Sequence, residues 1–324
     1  MDQTRSGATS DMITALLQAA VQAPSSHNTQ PWVFLVRDGG IDLLADRTRA
    51  LPVNDPDDRE LTISCGCALF NLRVAAAGAA VPLDVHLMPG GYHGDQLAAV
   101  ELSASGTVPP GLAELADAVS RRRTFRRTFS DRPVAVQDVA ALVNAAYQEQ
   151  AWLEPLDSAD TRHAAADLVA EGDASQWANP SWRRELAAWM HPRRGGDGLT
   201  VPGLTLPLAQ GVVRTFDIGL GVGAKDRQIA SASPLLVVLG TEADGPEQWL
   251  VAGQALQRVL LVACGLGLQA SFLNQPVQVP ALRFKLQHLL GRPGYPQLLL
   301  RLGYAEDQLR ASPRRPLANV VEHA

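Results

Sequence analysis

Lysine is almost missing from this chain: only Lys225 and Lys285 occur among its 28 basic residues. Where a cation is needed it is therefore a guanidinium, the better fork for phosphate. Cysteine is scarce too, and Cys65, Cys67 and Cys264 cannot build a disulfide framework. Cys65 and Cys67 would point to nearly opposite sides of a helix, so they read as small packing residues and not as joint metal ligands. There is no excess of positive charge. The 28 Lys and Arg face 33 Asp and Glu, a net charge of −5 that argues against a nucleic-acid surface. MDQTRSGATSD, at the start, lacks the apolar centre of a secretory signal. The longest apolar run, Leu250 to Leu268, is broken by Gln254, Gln257 and Arg258, so no membrane span is expected. A cytoplasmic protein follows as the expectation.

Several catalytic signatures are also absent. There is no H-E-x-x-H and no G-x-S-x-G, and the seven histidines show no metal-like spacing. Gly219-Leu220-Gly221-Val222-Gly223-Ala224-Lys225 fits neither phosphate-loop pattern and follows no strand, so a flexible loop is expected there. Asn54, Asp55, Asp57 and Asp58 lack the glycine and distal glutamate of a calcium loop and read as a solvated loop and helix cap.

What remains is 324 residues, 46% of them hydrophobic, enough for one large domain or two small ones. A weak internal repeat favours two. Residues 64–89 laid on 251–276, an offset of 187, match at Gly66/Gly253, Ala68/Ala255, Leu69/Leu256, Ala76/Ala263, Gly78/Gly265 and Pro89/Pro276. Residues 16–22 match 142–148 at an offset of 126. The two offsets differ by 61 residues, which places an insertion in the second half, somewhere in 155–230. Ser10 can cap a helix over 11–23 that stops before Pro24. Trp32–Arg37 and Ile41–Ala45 flank Asp38-Gly39-Gly40, a hairpin signal. Helices are expected over 60–78, 112–121, 136–149, 158–171, 181–190, 246–266 and 279–290. Strands are expected near 82–88, 96–103, 234–240, 268–273 and 296–303. These strands do not alternate in βαβ fashion, which points to an α/β (α+β) protein with mixed or antiparallel sheets and helices packed around them.

Three segments stand out chemically. Ala23-Pro24-Ser25-Ser26-His27-Asn28-Thr29-Gln30-Pro31-Trp32 is a turn between a helix and a strand, with more short polar side chains than a cap requires. Arg121-Arg122-Arg123-Thr124-Phe125-Arg126-Arg127 follows a helix and is an anion site if the guanidiniums converge, a solvated helix end if they do not. Ser312-Pro313-Arg314-Arg315-Pro316-Leu317 holds two arginines in an extended tail.

Together these segments resemble the nitroreductase superfamily of FMN flavoproteins, and most of all its Acg-type branch, in which two subunits of the usual dimer are fused. PSSHNTQPW is similar to the family's P-S-S-x-N-x-Q-P-W element and RRTFRR to its R-R-S-x-R segment. Ala252–Pro276 resembles the central helix and flavin-edge strand, and Arg314-Arg315 falls at the C-terminal basic pair. Asp55-Pro56, Arg59-Glu60-Leu61 and Gln297–Tyr304 are also similar to that branch. The resemblance implies two fused lobes, 1–110 and 111–324, with a lid insertion at about 172–230.

It further implies FMN as cofactor. Arg122, Arg123, Arg126, Arg314 and Arg315, with Thr124, would serve the phosphate and the pyrimidine end. Ser25, Ser26, Asn28 and Gln30 would meet the ribityl chain and ring edge, Pro31 and Trp32 would set the wall, and backbone N–H groups near Asn274 and Gln275 would face the N5 edge. No catalytic side chain is implied, since the cofactor carries the chemistry. PSSHNTQPW occurs once and the arginine cluster once, so one flavin site per chain is expected, in a monomer that acts as its own pseudo-dimer. NAD(P)H would reduce the flavin and a nitro, quinone or similar small acceptor would reoxidise it. The alternative is an FMN-sequestering protein whose insertion, with Trp177, Trp182, Trp189 and a Gly- and Pro-rich loop from Pro192 to Gly223, closes over the flavin. Removing residues 312–324 is expected to cost FMN affinity and leave the fold intact.

Overall fold

The computed structural model describes residues 2–324 apart from 92–93, 104, 192–194, 201–205, 216, 218 and 308, with backbone alone for 2–9, 200, 206, 208 and 220. The N-terminal helix α1 (Asp2–Ala20) leads to the hairpin β1 (Trp32–Arg37) and β2 (Gly40–Ala45), paired from Trp32↔Ala45 to Arg37↔Gly40. The long helix α2 (Arg59–Gly78) follows, then β3 (Leu83–Leu87) and β4 (Gln96–Leu102). The second half opens with α3 (Ala116–Arg121) and α4 (Val136–Tyr147), then β5 (Trp152–Pro155). Next come α5 (Ala159–Ala178), α6 (Pro180–Ala188), the two-residue strands β6 (Met190–His191) and β7 (Leu199–Thr200), α7 (Leu206–Thr215) and α8 (Gly219–Ser231). The chain ends through β8 (Leu235–Thr241), α9 (Pro246–Gly265), β9 (Gln269–Phe272), α10 (Gln275–Gln278), α11 (Pro280–Leu290), β10 (Tyr295–Gly303) and β11 (Val321–His323).

The two main sheets have one plan. The first runs β1-β2-β4-β3, with β11 added beside β1, and the second runs β5-β8-β10-β9. Each thus places its strands in the order first, second, fourth, third. Residues 38–39 turn β1 into β2, whereas residues 156–234 separate β5 from β8. The insertion therefore sits at the hairpin turn of the second sheet. It is longer than the offset difference suggests, because the loops before β5 and before α9 are shorter than their counterparts before β1 and α2.

Helices α2 and α9, the two copies of the repeat, cross at the centre of the molecule. Their closest approach is between matched glycines. A Cβ built on Gly66 would fall 2.3 Å from Leu250 O, and one on Gly253 would fall 2.1 Å from Ile63 O. Backbone meets backbone there, so no side chain can be accommodated without parting the helices. The same seam is tied by Cys67 Sγ donating to Gly253 O at 3.2 Å and Gln257 Nε2 to Asn71 Oδ1 at 2.6 Å. Burial pushes the Cys65 and Cys67 thiols far up, so both are inert packing groups.

Three expectations need correction. Ser10 lies inside α1 and does not cap it, since nothing from Asp2 onward breaks the helix, which ends at Ala20. Gly219–Lys225 is not a loop but the first turns of α8. Its glycines let α8 lie against α5: a Cβ on Gly219 would sit 2.7 Å from Trp177 Cβ, and one on Gly223 3.1 Å from Ala170 O. The tail is part of the fold. β11 lies parallel to β1, with Phe34 N donating to Val320 O at 2.8 Å and Ala324 N to Val36 O at 3.0 Å. Deleting residues 312–324 would strip an edge strand as well as two arginines.

Candidate functional site

A cavity of about 370 Å³ opens between the two halves, floored by α2 and roofed by the insertion. Of the fourteen residues singled out from the sequence, ten line it: Ser25, Ser26 and Asn28; Arg122, Arg123, Thr124 and Arg126; Asn274 and Gln275; and Arg314.

The loop that follows α1 forms one wall. His27, Asn28 and Gln30 have φ of 49°, 56° and 53°, a left-handed conformation that non-glycine residues avoid. Side chains hold it. Ser25 Oγ accepts from Gln30 N at 2.9 Å, and Ser26 Oγ donates to Glu60 Oε2 at 2.7 Å. Burial pushes His27 down to about 4, which leaves its ring neutral.

The opposite wall is the arginine segment that follows α3. Phe125 N donates to Ala270 O at 2.8 Å, which fastens the segment to β9. Arg122 is only 6% exposed, and no carboxylate pairs with it among the described residues. Its Nη2 reaches Gln22 O at 3.4 Å, while Nε and Nη1 are buried without a partner among the described residues. Burial, with Arg123 adjacent, brings its pKa down to about 10, still charged at neutral pH. Arg123 spends Nη1 on Ser120 O and Arg122 O, at 2.7 and 2.8 Å, and leaves its buried Nε unpartnered. Two cations with idle donors at one end of a cavity form a receptor for a fixed anion.

The floor holds Glu60, which sequence reasoning placed in a motif but gave no role. Its carboxylate accepts from Ser26, from Asn274 Nδ2 at 3.2 Å and from Gln278 Nε2 at 2.9 Å. Asn274 thus faces the cavity with its amide already committed. Its Oδ1 also accepts from Leu299 N at 3.2 Å.

The insertion supplies the roof: Asp173, Gln176 and Trp177 from α5, Trp182 and Leu186 from α6, and Val222 from α8. Trp177 and Trp182 meet edge to face at 5.5 Å. Trp189 is elsewhere, stacked under the Arg49 guanidinium. The roof is fastened to the first half at several points. Trp182 Nε1 donates to Asn54 Oδ1 at 2.9 Å, and the Glu185 carboxylate takes Val53 N and Asn54 N at 2.8 and 2.9 Å. Gly196, at φ 80°, offers its carbonyl to Gln30 Nε2 at 2.9 Å and Asn28 Nδ2 at 3.3 Å. Asp197 pairs with Arg49.

Those contacts explain the four residues that do not line the cavity. Gln30 is fully buried, bridging Gly196 O and Arg315 N. Pro31 and Trp32 lie behind the loop in the core, where Pro31 O accepts from Cys65 Sγ at 3.2 Å. The Arg315 guanidinium is spent on Gln30 O, Asn319 O and Asp46 at 3.0, 2.6 and 3.5 Å. Arg314 does border the cavity, yet its guanidinium chiefly closes the end of α1 through Val21, Gln22 and Ala23 carbonyls at 2.8, 3.1 and 3.1 Å. The tail pair therefore holds the loop in shape, and the helix-borne residues Glu60, Asp173 and Gln278 are the ones the sequence left unmarked.

A second cavity, of about 320 Å³, is the counterpart of the first. Its Val85, Leu87, Val251 and Gln254 stand at the 187-residue offset from Phe272, Asn274, Ser64 and Cys67. Gln148-Glu149-Gln150 replaces the polar loop, and Glu149 neutralises Arg73 and Arg258 at 2.5 and 2.8 Å. No idle cation faces it among the described residues.

No family model matches the chain. A Mycobacterium tuberculosis protein named as an NAD(P)H nitroreductase, Rv3131, is 33% identical over 325 residues, 96% of this chain and 91% of that protein. Another from the same organism, the nitroreductase acg, is 30% identical over 319 residues, 96% of each. PigM of Serratia, also named as an NAD(P)H nitroreductase, is 24% identical over 96% of this chain and 94% of its own. Among solved structures, an FMN-bound nitroreductase from Bacteroides fragilis is similar at 16% identity and a TM-score of 0.37, over 61% of this chain and 91% of that one, too low a likeness to bear on the site. By its identity to the mycobacterial proteins over nearly its whole length, the chain belongs to the nitroreductase family, on the branch that holds acg.

Proposed function

We propose that the chain binds one FMN in the larger cavity and uses it to pass electrons from NAD(P)H to a small nitro, quinone or similar acceptor. The carrying observation is the buried guanidinium of Arg122 beside the half-buried one of Arg123: both Nε atoms and Arg122 Nη1 are buried and find no partner among the described residues. Such groups are costly to bury unless a ligand completes them, and a phosphate does so with two charges and several acceptors. The cavity size falls in the ordinary range for ligand sites, roughly 300–1,000 Å³. Bound there, FMN supplies hydride and single-electron chemistry that no side chain here provides. The protein's part is to hold the phosphate on Arg122, Arg123, Arg126 and Thr124, to border the ring with Ser25, Ser26, Asn28, Asn274 and Gln275, and to exclude water with the tryptophan roof. The smaller cavity lacks these parts, which supports one flavin per chain and a monomer that needs no partner copy.

The fastening of the roof favours the second reading, in which FMN is held and turned over slowly. The two readings separate on one variant. Glu185→Ala combined with Asp197→Ala removes the acceptors that tie the insertion to residues 49, 53 and 54. If the roof restricts access, NADPH reduces the FMN of the intact chain slowly in anaerobic stopped flow, and the double variant is faster by about tenfold or more, the worth of one hydrogen bond to a charged group. Rapid reduction of the intact chain, unchanged in the variant, removes the storage reading and leaves the oxidoreductase.

A further inference from the structure

Asp173 is a side chain of this cavity that the reading above does not use. It lies on α5, only 3% exposed, with its neighbour Glu171 turned outward to Lys285. Gly172 presses α5 against the start of α10, since a Cβ there would sit 2.6 Å from Gln275 Cβ. Gln275 Nε2 is shared between Asp173 Oδ1 at 3.2 Å and Asp226 Oδ2 at 3.0 Å. Among the described residues Asp173 Oδ2 has no donor and no cation pairs with the carboxylate. Lys225 and Arg301 act on Asp226, from α8 and β10. One amide thus faces two carboxyls, an arrangement that keeps a proton on the pair.

Two other titratable groups on the cavity wall, His27 and Cys67, are unsuited to giving up a proton near neutrality. His27 is already neutral, and the Cys67 thiol is pushed far up by burial. Glu60 has its oxygens filled by donors. Burial and the facing Asp226 raise Asp173 to about 7.

We propose that Asp173 is the proton donor to the acceptor reduced in this cavity, and that Asp226 is the positioning residue that keeps the proton on it. This rests on the FMN reading above. A quinone needs two electrons and two protons to become a hydroquinone. Both electrons and one proton come as hydride from reduced FMN. The second proton leaves the Asp173 carboxyl, its O–H bond breaks as the second hydroquinone O–H bond forms, and solvent returns a proton to the carboxylate. A nitro group balances likewise, taking the hydride and the Asp173 proton to give a nitroso group and water.

The test uses the full chain with FMN bound, reduced anaerobically by light with EDTA and mixed with menadione between pH 5 and 9. The rate should fall tenfold per pH unit above about 7. Asp173→Asn should be about 100-fold slower at pH 6 and independent of pH, the usual loss for a positioned general acid. Asp226→Asn should move the alkaline fall of the rate to lower pH, which a merely structural role would not produce. Infrared spectra of the flavin-free chain at pH 6 should show a carboxylic C=O band that Asp173→Asn diminishes, the remainder belonging to Asp55, which burial also raises to about 7. If Asp173→Asn keeps the wild-type rate or its alkaline fall, or leaves the band undiminished, the assignment is overturned. Because light replaces NAD(P)H as reductant, failure of NAD(P)H to reduce the flavin would count against the oxidoreductase reading alone.

Discussion

Arg122→Met is expected to weaken FMN binding by about tenfold to a hundredfold while stabilising the flavin-free chain. The two effects have one cause. In the cavity wall Arg122 Nε and Nη1 are buried without partners among the described residues, and its pKa is drawn down to about 10 because burial disfavours the charge. A hydrogen bond from a guanidinium to phosphate contributes about 1.5–3 kcal/mol, which is the affinity lost. Without the ligand the same buried charge is a net cost, and an apolar side chain of similar length relieves it by about 1–4 kcal/mol. Fluorescence titration with FMN and urea unfolding of the flavin-free variant read the two effects separately. Unchanged affinity would mean that the phosphate lies elsewhere. A variant that loses stability would mean that Arg122 serves the fold.

Gly253→Ala is expected to destabilise the protein by about 3 kcal/mol or more, the upper range for overpacking a core. The new methyl would sit 2.1 Å from Ile63 O and 2.8 Å from Gly66 Cα, backbone atoms that cannot turn aside. Parting α2 from α9 would also disturb Glu60 and Ser64 on the cavity floor, so flavin affinity should fall with stability. Gly265→Ala, at the end of the same helix, has open space around it and should be neutral or stabilising by up to about 1 kcal/mol. Thermal unfolding of the two variants should give opposite signs; equal small effects would contradict the tight crossing.

Residues whose role is set by neighbours in sequence were legible without the structure. Asp38-Gly39 had to turn a hairpin, and the apolar run from Leu61 had to be a core helix. The glycines of the repeat could be aligned, although their contact with each other belongs to the crossing geometry. The Pro24–Trp32 loop could be recognised as a site element because six consecutive polar residues exceed what a cap needs. Its division of labour could not be foreseen. Asn28 and Gln30 lie two residues apart, yet both are turned to Gly196, more than 160 residues away in the chain. Arg314 and Arg315 came to the phosphate through the family resemblance, and their contacts with the end of α1 and with Asp46 are visible only in the fold. Glu60 and Asp173 were passed over because one carboxylate in a helix reads as solvated surface. The signal that was present was Gly172 beside Asp173, a small residue that allows the helix to be pressed against another element. The Gly-rich start of α8 misled for the opposite reason: its glycines serve close packing against α5, not flexibility.

The claim on which the rest depends is a single flavin held across the two halves of one chain. It is tested most directly by the ratio of FMN to protein, measured from flavin released on heating the purified, FMN-saturated chain. One FMN per chain is expected, falling well below one for Arg122→Met at the lowest FMN concentration that saturates the wild type. Two per chain would mean that the smaller cavity also binds flavin despite Glu149 beside its arginines. A ratio of zero for the wild type would contradict the assignment of Arg122 and Arg123 to a phosphate.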